Sequence, residues 1–362
     1  MANTTTLISQ SDSLWLKSKG WDLTWISGSV LLMILPYASY YLGQSLGFKA
    51  DDARNAVNML VAFLIGGPHM YATHTRTTLD PAFRERHQSI YIAAFIIPAL
   101  VVYFGYYHFL FLLTFFFFWA SVHVLHQIVY IVDCYNGRQR APLTLKSKLI
   151  DYAIVLTALY PVAMYRFVHG TFIVGQNVLY FPDFLKFDAV WWLSSVVFAT
   201  ALTLYISKTY REFRIGEGNI PKTILISVTV IATFITPFFH ELDVAFQGLN
   251  SWHSFQYLGL TWYVNRLRYD RGEMPRKISI LSRPGEWWRY YSFNLVLNST
   301  ALSLIGTLLL TRHYSGLSFD QCYYIVVLCF LLTHYYHDHI IFAERANLSA
   351  IPARSDNQLV MS

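Results

Sequence analysis

The sequence predicts an all-α fold, a polytopic integral membrane bundle of about ten transmembrane helices with N- and C-termini on the cytoplasmic side. Three observations carry this expectation. Hydrophobic residues make up 55% of the 362 and charged residues only 13%, where a soluble domain carries about a quarter charged. Apolar stretches of about 20 residues, long enough to cross a bilayer as a helix, recur along the whole chain. The basic residues also sort by connection. With the N-terminus placed inside, Lys49, Arg54, Arg166, Lys186 and Arg312 fall in outer connections, and every other one of the 27 Lys and Arg falls in an inner one. Anionic headgroups explain the +6 net charge better than nucleic acid, which is excluded as a partner.

Residues 1–25 form a polar N-terminal segment with no apolar core and cleavage site of a removable signal peptide. Trp15, Trp21 and Trp25 suit an interfacial belt beside the first span. Residues 26–342 read as a single transmembrane catalytic domain and 343–362 as a polar tail. The spans are expected at 26–45, 55–74, 89–107, 110–132, 150–168, 190–207, 221–239, 245–265, 290–311 and 320–342. The outer connection 169–189 has room for a short amphipathic piece, and 266–289 reads as a long polar loop. No internal repeat, low-complexity tract or soluble domain is evident. The three cysteines offer no disulfide framework, since Cys322 and Cys329 lie about 10 Å apart along one helix.

Topology decides which of the 13 histidines can meet. Each even-numbered span runs inward, so His69, His123, His126, His253, His334 and His337 reach one level in the cytoplasmic half of the membrane. His74 and His339 lie just below them. His108, His169, His240 and His313 fall at outer ends and His87 in an inner loop. Polar and ionisable residues at membrane depth are costly and mark function. In "SVHVLHQ" and "THYYHDH" the paired histidines are three apart, about 60° around a helix, so both rings of a pair can serve one centre. Asp338 follows His334 by four on the same face, and Gln256 and Tyr257 follow His253. His69 and His74 are about 140° apart, unless the break at "GGPH" redirects one of them.

Neutral imidazole with a carboxylate is a metal-ligand chemistry. The candidate metal ligands are His69, His74, His123, His126, His253, His334, His337 and His339. Asp338 is a ligand or orienting partner, with Tyr257 and Arg76 as catalytic candidates. Arg76, in "THTRTTLD", either belongs to an ordinary positive-inside loop, or orients the site or anchors an acidic head or electron donor. His240 with Glu241 and Asp243 sits at the outer surface and reads as a loop. "FFFFWA" at 115–120 reads as lipid-facing packing.

Haem competes for these ligands, although no C-x-x-C-H is present for covalent attachment. No H-E-x-x-H suggests zinc proteolysis. A transporter would spread its ligands along a path. Non-haem iron with O2 as co-substrate fits best, because it needs nitrogen ligands, open positions and a dry pocket. The expectation is an iron-dependent oxygenase of the bacterial inner membrane, with its metal toward the cytoplasmic side. It would act on a lipophilic polyene, isoprenoid or acyl chain, surrounded by membrane lipid, with an external electron-donor protein as a further partner. The alternative is a haem-binding or electron-transfer membrane subunit. The number of ligands favours two irons over one.

The order "GGPH", "SVHVLH", "SWHS", "LLTHYYH" resembles the histidine pattern of the Brp/Blh family, membrane proteins associated with oxygen-dependent cleavage of β-carotene. The resemblance implies His69, His123, His253 and His334 as ligands of one iron. The chain reads "MYATH" after the first Pro-His, where that family usually has Gly and Asp-His. It adds His126, His337, Asp338 and His339, which makes it similar also to multi-histidine membrane hydroxylases and desaturases, without their H-x-x-H-H boxes.

Overall fold

A computed structural model describes residues 14–139 and 142–343. The tail at 344–362 lies outside the described residues. Ten long helical rods organise them: α1 Lys19–Ser45, α2 over 50–75, α3 Ser89–Tyr107, α4 Phe109–Asn136, α5 Leu145–Val168, α6 Asp188–Arg214 and α7 Ile220–Phe238. They continue with α8 Leu242–Asp270, α9 Trp287–Ser315 and α10 Phe319–Ala343. Eight are long and apolar enough to cross a membrane, which makes the chain a multi-pass membrane protein.

The remaining two rods, α2 and α8, match the expected spans 55–74 and 245–265 but fall short in apolarity. Their sequences carry Asp51, Asp52, Arg54, Asn55 and Asn58 in one, and Asp243, Gln247, Asn250, Gln256 and Asn265 in the other. Their polar groups face protein instead of lipid: Asn58, Asp243, Gln256 and Asn265 are all buried. α8 is the central rod, packing against α1, α2, α4 and α9. α6 lies at the rim against α5, with Trp192, Leu193, Val196 and Ile206 turned outward. An apolar outer surface of this kind fits a lipid surround.

Helix α2 is irregular for reasons visible in "AFLIGGPH". A π-turn, Ala62–Gly66, precedes the α-turn Gly67–Ala72, and a 3-10 turn, Thr73–Thr75, ends the rod. Pro68 has no N–H, so the carbonyl of Leu64 loses its usual donor; the Tyr291 hydroxyl donates to it instead, at 2.6 Å. Asn298 Nδ2 donates to the carbonyls of Ala62 and Phe63 at 2.9 and 3.1 Å. That approach needs glycine at position 67, because a Cβ there would lie 2.1 Å from the Asn298 amide. Two asparagine bonds and one tyrosine bond thus compensate for a broken helical ladder.

Elsewhere the structure revises the expected details. The connection 169–189 holds a small antiparallel hairpin, β1 Ile173–Val174 with β2 Asn177–Val178, followed by the 3-10 turn Asp183–Leu185. Within 266–289, α8 continues to Asp270 and a 3-10 turn forms at Ser279–Ser282. The tryptophans do not all form a belt. Trp15 is buried, and Trp25 stacks on Phe255 with ring centroids 4.3 Å apart. Gly259 admits the Trp25 ring, which would meet a Cβ at 2.6 Å. "FFFFWA" also divides: Phe115 and Trp119 are exposed and stack on one another, while Phe117 is buried against Phe246.

Two buried ionic clusters tie the rods together. Asp151 of α5 accepts from Lys208 of α6 at 2.7 Å and from Lys222 of α7 at 3.0 Å, and Lys222 also bonds Asn136 of α4. At the other end Arg54 of α2 pairs with Asp243 of α8 at 3.3 Å and Asp320 of α10 at 3.6 Å. Asp151→Asn removes the carboxylate facing a lysine that is only 2% exposed. Stability should fall by about 3–5 kcal/mol, read as an earlier thermal unfolding transition in detergent; an unchanged transition would show the cluster to be dispensable.

Candidate metal centre

Four rods deliver one histidine each to a common point: His69 from α2, His123 from α4, His253 from α8 and His334 from α10. Ring centroids are 5.1 Å apart for His69 and His253, 4.6 Å for His69 and His334, 5.0 Å for His123 and His253, and 5.1 Å for His123 and His334. Two ligand sets close to metal-binding dimensions: His69, His253 and His334, and His123, His334 and Asp338, each with its donor atoms within 4.8 Å of one another. His334 belongs to both.

Every one of these side chains is buried, and each has an atom with no hydrogen-bond partner: Nε2 of the four histidines and Oδ2 of Asp338. Buried polar atoms are almost always paired, and five without a protein partner at one point form a donor set that could hold a metal ion. Asp338 Oδ2 lies 3.5 Å from His334 Nε2 and 3.8 Å from His123 Nε2.

The opposite atoms of His69, His334 and Asp338 are tied, which fixes the tautomers of the two histidines, whereas both ring nitrogens of His253 are without a partner. His69 Nδ1 bonds the Gly66 carbonyl, and a carbonyl only accepts, so Nδ1 carries the proton and Nε2 the lone pair. The same Nδ1 lies 2.9 Å from Ser254 Oγ, which donates to Asn250 Oδ1 at 3.1 Å. Thr73 Oγ1 donates to Asp338 Oδ1 at 2.9 Å and stands 2.7 Å from His334 Nδ1. With its hydroxyl hydrogen directed at the carboxylate, Thr73 accepts from His334 Nδ1–H, leaving His334 Nε2 free. The Tyr257 hydroxyl adds a 2.6 Å bond to Asp338 Oδ1. Oδ1 is thereby occupied and Oδ2 turned to the histidines. Gln127 Nε2 holds the His253 carbonyl at 3.1 Å, and Tyr335 stacks on the His123 ring at 3.9 Å.

The other four expected ligands stay outside this group. His126 faces His339, rings 5.7 Å apart, with His126 half-buried and His339 exposed. His74 faces His337 at 5.7 Å, where His337 Nδ1 lies 3.3 Å from Thr77 Oγ1 and His74 Nδ1 2.8 Å from Thr78 Oγ1. Each i+3 partner is rotated by about 60° from its neighbour, which is enough to carry it past a centre this tight. Asp338 lies with His123 and His334, and Tyr257 is bonded to its carboxylate. Arg76 is buried and acts electrostatically on both, without an ion pair among the described residues. His240 and Glu241 meet in the short connection between α7 and α8, with His240 exposed. Thr73, Ser254, Gln127 and Tyr335 were not singled out from the sequence; position i+4 from His69 and the residue after His253 were the available signals for the first two.

A narrow cavity of about 80 Å³ leads from Asp243 and Gln247 past Phe116, Phe117 and Phe246 to His253. A wider apolar groove of about 500 Å³ opens on the flank between α3, α4 and α10 and ends at Tyr336 and His339. One end of the bundle is capped by the Arg54 cluster, over which the β1–β2 turn folds. Gly175, at φ 58°, brings its backbone so near Arg54 that a Cβ would lie 2.3 Å from Nη1.

Comparisons with protein-family models, curated proteins and solved structures find no match for this chain.

Thr73→Val should weaken metal binding by about 10- to 100-fold, the usual effect of losing an orienting partner. Chelator competition on purified protein measures this. Equal affinity in Thr73→Val and wild type would show that Thr73 does not orient the donors.

Proposed function

We propose that the chain is an integral-membrane, non-haem iron oxygenase that uses O2 on a lipophilic substrate at a mononuclear centre. The observation that carries this reading is the convergence of four unpartnered histidine nitrogens and one unpartnered carboxylate oxygen in a buried interior. Five donors exceed the tetrahedral set that structural zinc takes. They suit an iron that keeps a position for a reactant. Rings 4.6 to 5.1 Å apart leave no space for a porphyrin between them, which counts against haem. A second donor set further along a path, as a transporter would need, is not among the described residues.

The convergence also supports one iron over two. The four histidines that meet are those implied by the resemblance to the Brp/Blh family, and His126 and His339 lie elsewhere. Substrate in this reading is a polyene or other long lipophile entering from the membrane, since the cavity walls are aromatic and the outer end is capped. The ten-span topology with both termini inside, which puts the centre in the cytoplasmic half of a bacterial inner membrane, rests on the distribution of basic residues.

Iron at this point supplies the one-electron chemistry that O2 needs to react with a closed-shell carbon compound. The protein's part is to hold and to exclude. His69, His123, His253 and His334 would bind through Nε2, and Asp338 Oδ2 offsets the cation's charge. Thr73 and Tyr257 keep that carboxylate from rotating. Phe117, Phe246 and Tyr335 keep water from the reacting carbons, which limits side reactions.

Purified protein should carry about one equivalent of iron and show no intense Soret band. His123→Ala should lose the iron, whereas His126→Ala and His339→Ala should keep it. Less than about half an equivalent of any transition metal in gently extracted protein would overturn the oxygenase reading. Loss of about one of two equivalents in His126→Ala would restore the two-iron alternative.

A further inference from the structure

The bond between His69 and Ser254 is the first link of a longer chain of side chains. His69 Nδ1 faces the Gly66 carbonyl, which only accepts, so this nitrogen carries the proton. Ser254 Oγ, 2.9 Å from the same nitrogen, must then accept there. Its own hydrogen goes to Asn250 Oδ1 at 3.1 Å. With Oδ1 engaged, Asn250 Nδ2 donates to Gln247 Oε1 at 3.1 Å, and Gln247 Nε2 donates to Asn58 Oδ1 at 3.0 Å. All four bonds run one way, away from the histidine. One backbone carbonyl thereby sets the orientation of four side chains.

The chain follows the seam between α2 and α8, and its far end is anchored. Asn58 is 4% exposed and lies one helical turn from Arg54, as Gln247 does from Asp243. The last bond therefore sits beside the Arg54–Asp243 ion pair. Glycine at position 66 lets the chain pass, since a Cβ there would lie 3.0 Å from Asn250 Nδ2. Hydrogen bonds that follow one another in one direction strengthen each other, by about 10–30% per bond. A ligand histidine whose N–H is held by a stronger acceptor is the more basic at its other nitrogen.

We propose that Asn250 and Gln247, neither of which bonds His69 itself, are positioning residues for the metal centre. They hold Ser254 as an acceptor, so that His69 offers Nε2 to the cation in one fixed ring orientation. This rests on His69 as a metal ligand and not on the reaction catalysed there.

The test uses the purified full chain loaded with Co2+, whose visible absorption bands report the ligand field, with chelator competition for affinity. Asn250→Leu and Gln247→Met keep size and remove the bonds. Each should weaken Co2+ binding by about two- to tenfold, the worth of one neutral hydrogen bond. Each should also shift the bands, with Ser254→Ala shifting them further. Asn265→Leu is the control, because Asn265 Nδ2 makes a 2.8 Å bond to Thr75 between the same two rods but outside the chain. It should lower the unfolding temperature and leave the bands in place. Gln247→Met, the more distant of the two, serves where Asn250→Leu does not fold. Wild-type bands and affinity in both amide variants, beside an altered spectrum in His69→Ala, would overturn this proposal and leave the metal centre standing. An equal band shift in Asn265→Leu would also overturn it, marking a general loosening of the seam. A wild-type spectrum in His69→Ala would overturn both.

Discussion

The structure turns on one buried point where four histidine nitrogens and one carboxylate oxygen face one another without protein partners. Each buried polar atom left unpaired costs about 1–3 kcal/mol, and like-oriented lone pairs add repulsion. Four of the five side chains are held at their far sides: His69 by the Gly66 carbonyl, His334 and Asp338 by one threonine hydroxyl, His123 by the face of Tyr335. A cation bound there would offset this cost, and in the proposed reading metal loading and folding stability are coupled.

Holding the donors dry is the second requirement, and it explains the uneven chemistry of the bundle. Rods at the rim show apolar faces outward and need no partners. The polar side chains are gathered on α2 and α8, whose neighbours satisfy them one by one, as Gln247 does Asn58 and Asn265 does Thr75. Arg54 with Asp243 and Asp320 closes one end of the bundle with charge that is itself paired. The flank groove, by contrast, is apolar and open, which orients access toward lipid.

Much of this was legible in the sequence. Histidines at one depth on four inward-running spans pointed to the centre, and Asp338 at i+4 from His334 pointed to its carboxylate. The eight apolar rods follow from composition alone. Less legible was the fine selection among neighbours. His126 and His337 share a helix face with true cluster members, yet 60° of rotation separates touching a centre from missing it, and pattern reading does not resolve that angle. The two-iron expectation rested on this. Nor does periodicity reveal a π-turn; its only trace is Gly66, Gly67 and Pro68, and its consequence depends on Tyr291 and Asn298, more than 200 residues away. Trp25 differs from the expectation because tryptophan suits both a headgroup layer and a helix interface, and Gly259 on the partner helix decides.

The polarity of α2 and α8 has a consequence for how the chain is made. A segment carrying Asp51, Asp52 and Arg54, or Asp243, Gln247 and Asn250, partitions poorly from a translocation channel into lipid, where a mid-bilayer charge is costly. Such rods are retained only when earlier and later neighbours are there to receive them. α8 can settle once α1, α2 and α4 have been laid down, and α2 depends in turn on Tyr291 and Asn298 of α9, which leave the ribosome long afterward. His69, the first of the four converging histidines to be synthesised, therefore waits longest for its final geometry.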